Sequence, residues 1–244
     1  MCIIVVKPKG KLVSKKTLKN CFDNNSDGAG YVYHNGKENV INKGFFTFKS
    51  FYNSYKTEVK KEYPAIIHFR IATAGKVDGG NCHPFPLVGK LSLLRTTYLK
   101  TRGICVAHNG VIDINIKKKK VSDTIQFIQD ILSKSIIKDN LYQSETIQKL
   151  VEIASGGKLA FINGKGKLLL LGNFIEDKGL FFSNDSYQKV WIKYDWEKLY
   201  YGYDKDYGLE CDVCGKHKKD VHYDSFWGLW LCEECKKRIE EGDE

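Results

Sequence analysis

The chain opens with MCIIVVK, residues 1–7, and the interpretation of the whole N-terminal part grows from this stretch. Ile3, Ile4, Val5 and Val6 are all β-branched and apolar, which predicts a buried strand over residues 2–6. Five residues before Lys7 are too few for the apolar region of a secretion signal. No run of about 18 apolar residues occurs anywhere, so a membrane partner is not expected and a cytoplasmic location is. At the head of the strand stands Cys2. Removal of Met1, expected when the next side chain is small, would leave a free α-amine on the residue that carries the thiol. Their ordinary pKa values, about 7.7–8.0 and about 8.5, are close enough for one residue to act as both base and nucleophile. Position alone favours a cysteine that merely begins a buried strand.

Outward from this strand, the apolar pattern predicts a helix at about 14–22 capped by Ser14. DGAGYVYHNGK at 27–37 reads as a strand ending in an Asn-Gly turn, with His34 exposed before it. An amphipathic helix fits 47–61, and AIIHFRI at 65–71 fits a strand entered through Pro64. Residues 75–90, rich in Gly, Asn and Pro, form a loop whose length suggests function. Gly103 to Ala107 is a short strand that feeds the turn His108-Asn109-Gly110. Helices follow at about 123–135, capped by Ser122, and at 143–154. A hairpin around Asn163-Gly164 spans 157–174, and LFFSN at 180–184 closes the β-rich part. Strands early, helices in the middle and strands late indicate an α+β layered domain.

The net charge is +10, yet residues 211–244 carry −3, leaving about +13 on residues 1–210. Most of this excess is scattered lysine, apart from the run Lys117 to Lys120, which reads as a solvated edge. Nucleic acid stays open as a partner without any motif to support it. Of the eight cysteines, Cys21 and Cys105 sit in apolar surroundings as buried thiols. Cys211-x2-Cys214 and Cys232-x2-Cys235, 17 residues apart, have the spacing of a four-cysteine zinc ribbon or treble-clef-like knuckle. Structural Zn2+ held by these four thiolates would replace a core that so short a segment can hardly build. The module either staples the C-terminus or docks a partner, and Trp227 and Trp230 read as its core.

Four further segments bear on Cys2. They are His68-Phe-Arg70-Ile-Ala-Thr73-Ala-Gly75, Asn81-Cys-His83-Pro84-Phe85, His108-Asn109-Gly110 and Ser122-Asp123-Thr124. In this order, with Met1-Cys2 and Asp27-Gly-Ala-Gly30, they resemble the class II (N-terminal nucleophile, Ntn-hydrolase) glutamine amidotransferase domain. The resemblance covers about residues 2–185 and looks closest to short stand-alone versions of phage and bacterial genomes. It implies a four-layer αββα sandwich and a glutaminase in which Cys2 attacks the side-chain amide of glutamine. By the same resemblance, Asn109 and the N–H of Gly110 form the oxyanion hole, Arg70 holds the substrate α-carboxylate and Asp123 its α-ammonium. Each charge suits its task, since a guanidinium can grip both carboxylate oxygens. Thr73 and His83 match positions that shape the glutamine pocket, while His68 and His108 read as structural.

The sequence departs from the family at Ile3, where glycine is usual, and at Ala74, where histidine is usual. The second change falls in the glutamine-binding loop and bears on substrate choice. Domain bounds read as 2–190 for the amidotransferase domain, 191–210 for an aromatic and charged connector, and 211–238 for the zinc module. No synthetase region and no phosphate loop is present, so released ammonia would need a separate acceptor protein. Two alternatives stand beside this reading: an Ntn amidohydrolase for another small amide, and a non-catalytic zinc-containing binding protein.

Overall fold

The opening strand, β1 (Ile3–Lys7), lies between two antiparallel neighbours, β4 (Ala65–Phe69) and β11 (Leu180–Phe182). The computed structural model describes residues 2–72, 75–117, 121–188, 209–224 and 229–241. The chain divides into two compact units, residues 1–189 and 190–244. In the first, β1 and β4 are central strands of a seven-stranded antiparallel sheet. With β2 (Ala29–His34), β3 (Asn39–Phe45), β6 (Tyr98–Thr101) and β10 (Ile175–Asp177), its order is β10-β11-β1-β4-β2-β3-β6. A second sheet runs β5-β7-β8-β9, from β5 (Phe85–Pro86), β7 (Cys105–Asn109), β8 (Lys158–Ile162) and β9 (Leu168–Leu171).

The two sheets share one apolar layer. Ile4, Val6, Val32, Ile41 and Ile66 of the first meet Cys105, Ala107, Ala160 and Ile162 of the second. Because side chains alternate along a strand, Ile3, Val5, Ile67 and Phe69 project to the opposite face. There they pack with Leu18 and Phe22 of α1 (Lys15–Asn24) and with Phe51 and Tyr55 of α2 (Phe48–Glu58). The outer face of the second sheet, with Val106, Leu159 and Phe161, packs against Ile125, Leu132 and Val151 from the later helices. The architecture is therefore α+β, with helices outside two facing sheets in the layer order αββα. Strands buried on both faces need apolar residues throughout, which is why β1 and β4 show no polar alternation.

Local signals account for most boundaries. Ser14, Thr47, Ser122 and Ser144 each accept a backbone N–H at the start of α1, α2, α4 (Asp123–Phe127) and α6 (Glu145–Ser155), whereas the short α3 (Leu91–Arg95) has no side-chain cap. In the β8–β9 hairpin, Asn163 Oδ1 accepts from the N–H groups of Lys165 and Lys167, both at 2.9 Å.

Three expectations change. The helix expected at 123–135 is α4 continued by a π-turn over Ile128–Leu132, closed by Ser133 N–H donating to Ile128 O at 2.9 Å. It ends because Lys134 is extended, and a one-turn α5 (Ser135–Lys138) follows. The strand expected at 2–6 runs on through Lys7, whose ammonium is buried against the carbonyls of Lys60, Lys61 and Tyr63. His34 is buried rather than exposed, because the β8–β9 turn folds onto it: Nε2 lies 3.1 Å from Gly164 O and Nδ1 accepts from Gly36 N–H.

In the second unit, β12 (Leu209–Glu210) and β13 (His217–Lys218) flank a turn carrying Cys211 and Cys214. The hairpin of β14 (Val221–Asp224) and β15 (Leu229–Cys232) leads into α7 (Glu233–Glu241). The second cysteine pair therefore sits where strand passes into helix, a treble-clef-like arrangement rather than the two matching turns of a ribbon. Lys218 and Lys236 pair with Glu234 and Asp224. Trp230 packs partly buried against the cysteine core, whereas Trp227 and nearly all of the 191–210 connector lie outside the described residues. Among the described residues no helix is long and apolar enough to cross a membrane.

Because the inter-sheet layer is only two side chains thick, Ile66→Ala should cost about 2–5 kcal/mol of unfolding free energy in urea titration. Leu12→Ala, at a site 62% exposed, should stay within about 0.5 kcal/mol.

Candidate active site

Register brings the chemistry together. Pairing of Ile3 with Phe69 sets Cys2 beside the residues that leave β4, Arg70 and Ile71. Cys2 Sγ lies 3.3 Å from both the N–H and the carbonyl oxygen of Ile71. From the second sheet, β7 ends at Asn109 and delivers Gly110 to the same end of the sandwich. The α4 N-terminus brings Ser122, Asp123 and Thr124. Cys2, Arg70, His83, Gly110 and Asp123 thus line one small open pocket, although they are up to 121 positions apart in the chain.

Asp123 is buried, with Oδ2 accepting from Ile112 N–H at 2.9 Å and Oδ1 from Thr124 N–H at 2.7 Å. Oδ1 also accepts from Thr124 Oγ1 at 3.3 Å, so Oδ2, with one partner, keeps the greater accepting capacity. Arg70 is also buried, and its Nη1 donates to Lys76 O at 2.9 Å. The loop carrying Lys76 is tied in turn. Asn81 Nδ2 donates to that same carbonyl, and Asn81 Oδ1 accepts from Ser122 N–H at 3.2 Å. Asp78 forms an ion pair with Arg95 at 3.0 Å. One strapped loop therefore links the guanidinium to the start of α4, so cationic and anionic groups face one pocket.

Gly110 permits a close backbone approach at the site. A Cβ there would stand 2.9 Å from Gly157 Cα and from His108 Nε2, too close for any side chain. Asn109 is buried beside it, and its Nδ2 donates to Ser183 Oγ at 2.8 Å. Thr73 and Ala74 lie outside the described residues.

Under the pocket lies a histidine cluster. His68 Nε2 donates to His108 O at 3.1 Å, and the rings of His68 and His83 are 4.2 Å apart. Burial lowers His68 to about 3 and His108 to about 4, the latter partly offset by Asp123, and lowers His83 well below its ordinary value. All three are therefore neutral near pH 7. Burial pushes the Cys2 thiol up, while the Ile71 N–H and the Arg70 charge pull the other way.

Several residues at the site escaped the sequence reading. Lys43 is buried in β3, with Nζ donating to Gly80 O and Leu94 O and standing 3.9 Å over the Phe85 ring. Ser183 and Asn184 follow β11, and Asn184 Nδ2 donates to Cys2 O at 2.8 Å. The available signal for the last two was a polar pair directly after a buried apolar strand.

In the second unit, the sulfur atoms of Cys211, Cys214, Cys232 and Cys235 all lie within 4.8 Å of one another. Cys232 N–H donates to Cys211 Sγ at 3.4 Å, and Gly215 N–H closes the turn onto Cys211 O at 2.8 Å. Four converging thiols with amide donors to sulfur fit a tetrahedral metal ion.

No protein-family model matches the sequence, and no curated protein does. Among solved structures, glutamine phosphoribosylpyrophosphate amidotransferase from B. subtilis, complexed with ADP and GMP, is similar over 75% of this chain, at 14% identity and a TM-score of 0.41. A structure described as the allosteric regulatory enzyme of purine biosynthesis matches over 75% at 15% identity and a TM-score of 0.41. The chain spans 41% of the length of each.

The histidine cluster sets a pH dependence of stability. The folded state keeps His68, His83 and His108 unprotonated, whereas the unfolded chain binds protons below about pH 6.5. The unfolded state then holds more protons, so stability is full above about pH 6.5 and falls as pH drops toward 4. Urea midpoints measured between pH 7.5 and 4.5 should hold level above about pH 6.5 and decline steadily below it. A flat profile down to pH 5 would contradict the neutral cluster.

Proposed function

We propose that residues 2–188 form a glutamine-hydrolysing amidase with Cys2 as its N-terminal nucleophile, releasing ammonia for a separate acceptor protein. The observation that carries this reading is the convergence of Cys2, Arg70, Gly110 and Asp123 on one pocket, from four separate segments. A thiol at its floor, an anion-binding guanidinium and a carboxylate in its walls match a substrate with a free amino acid end and a cleavable side-chain amide.

In this mechanism Arg70 takes the α-carboxylate and Asp123 the α-ammonium. The α-amine of Cys2, exposed once Met1 is removed, accepts the thiol proton. Sulfur then attacks the amide carbon. Because burial raises the thiol pKa, the thiolate forms as the base takes the proton rather than persisting at rest. The oxyanion is received by Asn109 Nδ2 and the Gly110 N–H. The protonated α-amine returns its proton to the leaving nitrogen, ammonia departs, and water hydrolyses the γ-glutamyl thioester to glutamate.

For the second unit we propose a structural Zn2+ on Cys211, Cys214, Cys232 and Cys235. It would stand in for a core that otherwise consists of a few buried residues. Elemental analysis should find about one zinc per chain, lost in Cys214→Ser. Iron with visible thiolate absorption would overturn the choice of metal.

Glutamate release by Met1-processed protein tests the main reading. Cys2→Ala should abolish release, and Asn109→Ala should lower kcat about 10²–10³-fold. Arg70→Lys should act mainly on KM, because a point charge cannot grip both oxygens. A processed wild type that releases no glutamate would exclude glutamine and leave another small amide, or binding without catalysis, as the function.

A further inference from the structure

Ser183 and Asn184, which follow β11, touch three parts of the proposed machinery without lining its pocket. Ser183 is fully buried. Its Oγ lies 2.8 Å from two donors, the backbone N–H of Ile4 and Nδ2 of Asn109. Its own N–H donates to Ile4 O at 3.0 Å, and its carbonyl accepts from Lys158 Nζ. One residue on, Asn184 Nδ2 donates to the carbonyl of Cys2 at 2.8 Å, while its Oδ1 accepts from Ser186 N–H at 3.1 Å.

We infer that Ser183 and Asn184 are positioning residues, a two-residue clamp that holds the nucleophile and the oxyanion donor of the proposed amidase in one fixed geometry. The inference rests on the reading of Cys2 and Asn109 given above. A carboxamide nitrogen has two N–H bonds at about 120°, and a hydroxyl oxygen can accept two hydrogen bonds. One N–H of Asn109 committed to Ser183 restrains rotation of the amide and directs its second N–H toward a developing oxyanion. The same oxygen holds Ile4, two residues from the nucleophile, so the β1 backbone and the oxyanion donor share one anchor. Asn184 adds the third point by fixing the peptide plane that follows Cys2. Such a link matters because the nucleophile comes from one sheet and the oxyanion donor from the other. Without it, relative sliding of the sheets would change the distance from sulfur to donor, and misplacement by about 1 Å can cost about 10²-fold in rate.

The test is kinetic, on the full chain with Met1 removed. Ser183→Ala should lower kcat roughly 10- to 100-fold, with KM for glutamine within about twofold. Ser183→Thr, which keeps the oxygen, should recover most of the loss. In an Asn109→Ala background, Ser183→Ala should cost clearly less than it does alone, since the part of its contribution that passes through that amide is already lost. Asn184→Ala, assayed in parallel, should also lower kcat while sparing KM, and provides a second reading should Ser183→Ala fold poorly. An inactive wild type would overturn both this inference and the proposed function. An active wild type whose Ser183→Ala and Asn184→Ala variants keep full kcat would overturn the clamp alone. So would a Ser183→Ala loss equally large with and without Asn109.

Discussion

The contact between the two sheets is the constraint on which the rest depends. Ile4, Val6 and Ile66 can reach Ala107 and Ala160 across it because the second sheet offers small side chains where the first offers branched ones. That complementarity fixes how far each strand projects. Once β1, β4 and β7 are locked at that depth, their ends coincide, and Cys2, Arg70 and Asn109 arrive at one edge of the sandwich. A shift of one residue in β1 would turn Ile4 outward, move Ile3 into the layer and carry Cys2 away from Ile71. The site is thus a consequence of packing as much as of its own residues.

This dependence explains what could and could not be read in advance. Strands buried on both faces announce themselves as apolar runs, as CIIVV does and as AIIHF does apart from His68. Serine caps and the Asn163-Gly164 turn act within a few residues, and so they are visible locally. Lys7, Lys43 and His34 were harder. Each is polar in a β-rich segment and would ordinarily face water, but each meets carbonyl oxygens contributed by distant loops. The π-turn after α4 has no local mark, because Ile128 and Leu132 suit an α-helix equally well. Ser183 is the clearest case: its partners Ile4 and Asn109 are 179 and 74 positions away. Only the assembled sheets bring them within reach.

The pocket also shows how charge is organised around a neutral floor. Three buried, uncharged imidazoles leave Arg70 as the positive side chain beside the thiol, and Asp123 as a carboxylate in the same pocket. A protonated histidine among them would pair with Asp123 and add a second positive group to the pocket. Keeping the cluster neutral leaves one guanidinium and one carboxylate as the charged side chains at the pocket. The second unit solves a different problem. Its few buried residues surround the four thiols themselves, so its fold and its ligand chemistry are the same feature.

The place of Cys2 at the pocket floor has a practical side. Any peptide joined ahead of this residue begins inside the cleft, with walls formed by Arg70, Gly110 and Asp123. An affinity tag fused at that end would act as a tethered plug and mask the amine as well. If Cys2 is the proposed nucleophile, purification handles, fluorophores and immobilisation linkers belong on the far terminus, because leftover N-terminal residues would block the amine the reaction uses.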